Sequence, residues 1–421
     1  MRIFQNTESD AIFGIEGDRI MNVAILGYGT VGSGVFDVLT ENRDIIAKRV
    51  GFPLDVKYVL DLREFPGKPV EKYLTHDFRQ IIEDPEIDII VEVMGGIHPS
   101  YEYTKEALES GRSVCTSNKE LVAKHGAELV EIAKKRSVNF LFEASVGGGI
   151  PVIRQLIRSI TADEVEEVCG ILNGTTNYMM TLMRETGATF EEALTDAQDK
   201  GFAERNPAAD IEGHDACRKI AILTSLAYAK QVDYEDIYTE GIVSISDIDV
   251  AYAKAMKRGI KLLGRSYLKD GTVYAMVAPC MVRKKNPLYP VNGVYNAIMI
   301  RGNMLGDVVC YGMGAGKLPT ASAVVSDVID AAKHRHVNIP ILWEKEKLVL
   351  GAKDDMDAKF FVRVAFADAD KARALFPIAK EISILECEGR EFAFVTEVMS
   401  EKAFSDAAEK IAVINRIRYE I

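Results

Sequence analysis

The stretch MNVAILGYGTVGSGVFDVL, residues 21–39, decides how the first half of the chain is read. A short apolar run is followed by Gly27, Tyr28, Gly29, Thr30, Val31 and Gly32, with the glycines in GxGxxG spacing, and a helical pattern begins at about Thr30. Each glycine has its own task. The first permits a tight turn, the second lets backbone approach a pyrophosphate, and the third lets the helix pack closely on the strand. The opening turn of that helix then presents free N–H groups to the phosphates. GxGxxG alone is a weak signal; its place between a strand and a helix is what favours a dinucleotide site over a merely glycine-rich turn.

Outward from this stretch the pattern alternates. DVKYVLDL, IDIIVEVMGG, SVCTSNK and NFLFEAS are short β-rich runs, separated by helical stretches such as YEYTKEALESG and ELVAKHGAELVEIAKKR. Such alternation predicts an α/β fold with a parallel, doubly wound sheet of Rossmann type, and ligands of these sheets lie beyond the carboxyl ends of the strands. Gly95 and Gly96 of EVMGG and Lys119 of TSNK fall there. Asp61, at the end of the second strand, would meet the ribose hydroxyls of NAD, whereas Arg63 two residues on would meet the 2′-phosphate of NADP. The pattern leaves that choice open.

With 421 residues the chain is too long for one ordinary domain. A hydrophobic content of 48% with 27% charged residues is that of a soluble globular protein. A net charge of −12, with no concentrated basic surface, points away from nucleic acid. Six scattered cysteines with no close pair suggest a reducing cytoplasm rather than a disulfide or zinc scaffold. No apolar run is long enough to span a bilayer, and the opening residues lack the pattern of a secretory signal. The first clear strand starts at Met21, so residues 1–20 are expected to form an arm or to follow an upstream start.

In the second half, ADIEGHDACRKIAIL (209–223) places Asp215 and Lys219 four residues apart at the start of a helical pattern, where they share one face. Taken alone, such a pair is more often a weak surface ion pair than a catalytic one. His214 and Cys217 lie close by but lack further metal ligands at suitable spacing. The turn in GILNGTTNYMM could offer backbone and hydroxyl donors to a small anion or could be an N-capped helix start. A further glycine cluster, GMGAGKLPTASAVV, leads to a helix expected from about Thr320.

Together these pieces closely resemble homoserine dehydrogenase. GYGTVG, VEVMGG, SNK, EASVGGGIP, NGTTNY, GFAE with DIEGHDACRK, and GAGKLPTASAVVSD occur in the family's order and spacing, over roughly residues 21–338. The resemblance implies a nucleotide domain (21–150) completed by residues 315–340, and an α+β substrate and dimerisation domain on an open sheet (151–314). It implies reversible NAD- or NADP-dependent interconversion of L-homoserine and L-aspartate 4-semialdehyde, in the biosynthesis of threonine, methionine and isoleucine, by a homodimer or dimer-based oligomer. By the family pattern Lys219 and Asp215 are the catalytic pair, with Lys119 over the reacting centre. Glu204 and Asp210 would hold the substrate ammonium, while Gly174, Thr175 and Thr176 would meet its polar end. Gly314 and Gly316 would join the cofactor site. Glu143 and the carbonyls of Val146, Gly148 and Ile150 would hold a Na+ or K+ ion.

The chemistry requires such residues. Oxidising an alcohol needs a base within hydrogen-bond reach of the hydroxyl, and lysine is a poor one at its ordinary pKa of about 10.4. Burial or a second cation would lower that value, and Lys119 is the expected second cation. The tail from 356 to 421 reads strand, helix, strand, strand, helix, strand and resembles the ferredoxin-type ACT regulatory domain. Where that domain usually carries an Asp-x-Pro-Gly turn, this chain has FADADKARAL, which puts threonine feedback in question and leaves a structural or dimer-contact role at least equal to it. Competing readings are a dehydrogenase of another hydroxy amino acid and a nucleotide-binding sensor without catalysis. Intact Lys119, Asp215 and Lys219 speak against the sensor.

Overall fold

The computed structural model describes residues 20–420, so the expected arm at residues 1–20 lies, but for its last residue, outside the described chain. Strands β1 (Met21–Leu26), β2 (Leu54–Leu60), β3 (Leu74–Thr75), β4 (Ile87–Glu92), β5 (Ser113–Thr116) and β6 (Phe140–Leu141) form one sheet in the order β3-β2-β1-β4-β5-β6. All of its pairings are parallel, the doubly wound arrangement expected of alternating strands and helices. Val23, Ile25, Ile90 and Val91 are fully buried, since helices cover both faces. The chain order switches between β1 and β4, the place where sheets of this kind bind their ligands.

Helix α1 (Thr30–Glu41) follows β1 directly. A Cβ on Gly32 would stand 1.9 Å from the Gly27 carbonyl oxygen, so only glycine lets this helix approach the strand's end so closely. Gly32→Ala is therefore expected to cost about 1–3 kcal/mol of stability through overpacking. Thermal denaturation measures the loss; an unchanged midpoint would mean the turn relaxes freely.

Packed beside α1 is the helix Lys317–Lys333, whose Val324 and Val328 enter the same core as β1 and β4. It begins at Lys317 rather than at about Thr320. Pro319 is tolerated because first-turn residues need no intrahelical N–H bond.

Of the remaining strands, the short Lys230–Gln231 and Glu344–Lys347 pair separately, and eleven build one mixed sheet. Its main path runs Gly306–Met313, Tyr295–Gly302, Val165–Ile171, Arg258–Lys269, Thr272–Arg283, Val413–Tyr419, Asp357–Ala365, Glu391–Thr396 and Ile378–Ile382. The last four are the tail's strands, in the spatial order of a βαββαβ unit. The tail does not stand apart from the sheet before it: Cys280 pairs with Arg418 and Met281 with Tyr419 in a short parallel joint. The turn after its first strand is the 3-10 segment Phe366–Asp368, without glycine or proline. No helix among the described residues is long and apolar enough to cross a membrane.

Candidate active site

The helix His214–Tyr228 lies against the open sheet with Ile220, Ile222 and Leu223 fully buried. Asp215 stands in its first turn, where the helix dipole favours a carboxylate. One turn later, Lys219 donates to Asp215 Oδ2 at 2.7 Å and to the Leu172 carbonyl at 2.7 Å. From the nucleotide unit, Lys119 opens the helix Lys119–Arg136 and donates to the other oxygen of the same carboxylate. Two ammonium groups thus share one buried carboxylate. Burial alone would raise the Asp215 carboxyl, but Lys219 and Lys119 overcome it and hold Asp215 well below the usual range.

The two lysines differ in depth, and that decides their chemistry. The Lys219 side chain is only 11% exposed; burial pushes its ammonium below the ordinary value, and the nearby Lys119 charge adds to this against the pull of Asp215. Lys119 is 37% exposed; burial also disfavours its charge, but Asp215 more than compensates and its pKa is raised. Lys219 is thus the better base of the two, and Lys119 keeps its charge.

Asp210 closes the cluster. The Asn173 side-chain amide donates to Asp210 Oδ1 at 2.7 Å and to Asp215 Oδ2 at 2.9 Å, joining the two acids. Burial, and then the neighbouring Asp215 charge, push the Asp210 carboxyl above its ordinary value. A half-buried acid of this kind gains from a cationic partner.

On the nucleotide side, a Cβ on Gly29 would meet nothing within 4 Å, so the turn opens onto free space. The first turn of α1 carries no acidic residue, which leaves its N-terminal N–H groups suited to an anion. Donor set and open space fit a pyrophosphate. Next to this turn, Asp61 accepts from the Tyr28 N–H at 2.8 Å and from the Arg63 guanidinium at 2.9 Å through both oxygens. Asp61 and Arg63, read from sequence as alternatives, form one bidentate pair at the rim. The Arg63 contact is also the main cause holding Asp61 far below the usual carboxylate range.

Family models match the two halves of this arrangement: one described as the homoserine dehydrogenase NAD binding domain over residues 27–143, the other as homoserine dehydrogenase over residues 151–329. A homoserine dehydrogenase of Bacillus subtilis is 34% identical across 93% of this chain and 95% of its own. The chain belongs to the homoserine dehydrogenase family.

Another homoserine dehydrogenase, from Corynebacterium glutamicum, is 42% identical over 75% of this chain and 72% of its own. Among solved structures, the homoserine dehydrogenase of Thiobacillus denitrificans superposes with a TM-score of 0.88 at 33% identity, covering 96% of this chain and 98% of that one. A hyperthermophilic archaeal homoserine dehydrogenase mutant in complex with NADPH superposes at 0.64 with 29% identity, over 74% and 98%.

Within this homoserine dehydrogenase framework, several residues named from sequence take other positions. Glu204 is exposed, and among the described residues its carboxylate has no hydrogen bond or ion pair. The hydroxyls of Thr175 and Thr176 are already engaged, the first donating to the Phe202 carbonyl at 2.6 Å and the second to Asn173 Oδ1 at 3.0 Å. The Thr176 N–H is capped by Asn173 Oδ1 at 2.9 Å, so the donors left at the start of the helix Gly174–Thr186 are the backbone N–H groups of Gly174 and Thr175. Glu143 accepts from the N–H groups of Ile153 and Arg154 at 2.8 and 2.9 Å, and the Ile150 carbonyl accepts from Val152 at 2.9 Å. Both serve as local caps. The Gly148 turn abuts Gly314, and Gly149 donates to Met313, so these glycine turns meet where the two units join. Gly316 caps the closing helix with φ +115°.

Three contributors escaped the sequence reading: Asn173, the Leu172 carbonyl and Glu92. Asn173 precedes the glycine of NGTT, and an N-cap asparagine signal was visible there, though not its second role between two acids. Fully buried Glu92 accepts from Thr116 Oγ1 at 2.7 Å and the Met94 N–H at 2.9 Å; Asn118 donates to the Gly96 carbonyl at 2.6 Å. This network joins the two loops expected at the strand ends and fixes the turn from which Lys119 projects.

Proposed function

We propose that this chain interconverts L-homoserine and L-aspartate 4-semialdehyde with NAD or NADP as the redox partner. The observation that carries the proposal is the shared carboxylate: Asp215 holds one deeply buried lysine whose charge is disfavoured and one shallower lysine whose charge is kept. Neutral Lys219 takes the proton from the C4 hydroxyl as the alcohol is oxidised, and its ammonium returns that proton in the reverse reduction. Charged Lys119 stabilises negative charge developing on the same oxygen. When bound, the nicotinamide dinucleotide supplies the hydride acceptor or donor. Asp210 faces the substrate ammonium, and the backbone N–H groups of Gly174 and Thr175 meet its carboxylate.

The Asp61–Arg63 pair supports either cofactor: the acid suits ribose hydroxyls, while the exposed guanidinium suits a 2′-phosphate. A monovalent cation at the 143–150 turn and a homodimer belong to the same proposal. The buried Glu143 carboxylate supports the first, and Val309, Tyr311 and Met313, exposed along the edge strand Gly306–Met313, support the second. In this reading the tail has a structural role.

The test is the initial rate of dinucleotide reduction with L-homoserine, NAD+ and NADP+ being compared at alkaline pH, which favours the neutral form of Lys219. Homoserine-dependent turnover is expected, and a tenfold or greater preference, about 1.4 kcal/mol, would say whether the acid or the arginine governs cofactor choice. Turnover with another hydroxy amino acid but not homoserine would overturn the substrate assignment.

A further inference from the structure

The tail is tied to the catalytic acids through one short strap, residues 238–242. Glu240 lies on it. Its Oε2 accepts from the Tyr238 hydroxyl at 3.0 Å and from Arg418 Nη1 at 2.9 Å and forms an ion pair with Arg416 Nη1 at 3.0 Å, and both arginines come from the last strand of the tail. Arg418 also donates through Nε to Glu401 at 2.6 Å, at the start of the tail helix Glu401–Ala408. Burial would raise the Glu240 carboxyl, but the two guanidinium groups outweigh it and keep it ionised.

On its other side the strap presses on the segment that carries Asp210 and Asp215. Ile242 donates its N–H to the Ile211 carbonyl at 2.8 Å. A Cβ on Gly241 would stand 2.0 Å from that same oxygen and 2.5 Å from Glu212 Cα, so backbone meets backbone directly. Gly213, with φ +87°, makes a similar approach: a Cβ there would be 3.1 Å from Thr239 Cγ2. The segment between the two acids is thus clamped at Ile211 and at Gly213. Toward the substrate pocket Asn173 holds both acids, and Lys119 and Lys219 also hold Asp215.

We propose that Glu240 is a positioning residue for the substrate-side acids, and that the tail acts on catalysis by holding the strap through Arg416 and Arg418. The chain of contact runs from Glu401 through Arg418 and Glu240 to the Ile211 backbone, and so to Asp210 and Asp215. A change in the tail that frees Arg418 loosens Asp210 without touching the dinucleotide crevice. The substrate part of this inference rests on the role proposed above for Asp210.

Glu240→Gln in the full chain tests it by two readouts. The KM for L-homoserine is expected to rise about tenfold while that for the dinucleotide holds, as for loss of one charge-assisted contact acting through position. Backbone hydrogen exchange in residues 208–215 is expected to quicken by about tenfold or more, with exchange in α1 unchanged. Glu240→Asp, which keeps the charge, should recover part of both effects, and adding Arg418→Gln to Glu240→Gln should add little. If Glu240→Gln folds poorly, Arg418→Gln alone, which frees the same strap from the other side, carries the same two readouts. Unchanged homoserine KM with unchanged exchange at 208–215 would overturn the inference. If the wild-type chain fails to turn over homoserine, the activity reading falls, while the exchange measurement still decides whether Glu240 holds the segment.

Discussion

Lys219→Met is expected to lower kcat for homoserine oxidation by about 10²–10⁴-fold, the usual worth of a positioned general acid or base. Methionine matches the length of the lysine stem and suits an apolar core, so the fold is expected to survive, with Asp215 still held by Lys119 and Asn173. The loss therefore isolates proton transfer. Raising the pH cannot restore activity in this variant, because no titrating group remains at the position of the proton. Steady-state rates from pH 7 to 10 check the point: turnover within a few-fold of wild type, or a profile that climbs as before, would assign the proton to another group.

Asp215→Asn is expected to cost about 100-fold in kcat, since orientation of both lysines depends on its carboxylate. Its pH signature is the sharper result. In the wild-type chain burial and the Lys119 charge lower the Lys219 pKa while Asp215 raises it. Without the carboxylate, burial and the Lys119 charge are opposed only by the smaller pull of Asp210, so Lys219 loses its proton at lower pH. Oxidation requires the neutral amine, and the rising limb of its pH profile should move to lower pH.

Stability should follow the same sign. Near neutrality two uncompensated ammonium groups in this site would cost about 3–5 kcal/mol, as breaking a buried pair usually does. Lys219 in the folded variant binds its proton less tightly than in the unfolded chain, so the deficit is present at low pH. It shrinks as pH rises from the folded pKa toward the unfolded value of about 10.4. Thermal midpoints across that window measure it. A limb that moves to higher pH would contradict the account of both lysines.

Much of the molecule was legible locally. The strand and helix periods around GYGTVG lead directly to the order of elements in the first sheet, and the four-residue spacing of Asp215 and Lys219 to their shared helix face. Lys119 meets Asp215 across 96 residues, and here the motif resemblance rather than periodicity brought them together. What stayed hidden is of another kind. Nothing near Asn173 announces that it spans two acids. Asp61 and Arg63, two residues apart, looked like rival ligands, and only the folded turn closes them on one another.

The amino-acid sequence by itself determined the doubly wound nucleotide unit, the glycine turn at its crevice, the alternation of the tail and the residue types of the catalytic cluster. The first three follow from backbone sterics and from periods of two and 3.6 residues, which act over one or two turns of chain, and the last from the order and spacing of the family motifs. Only the tertiary structure decided which lysine is deep and which is shallow, that Asn173 joins Asp210 to Asp215, and that the tail extends the substrate sheet and grips Glu240. Those outcomes depend on burial and on partners distant in the chain, where a carboxylate's strength comes from what surrounds it after folding.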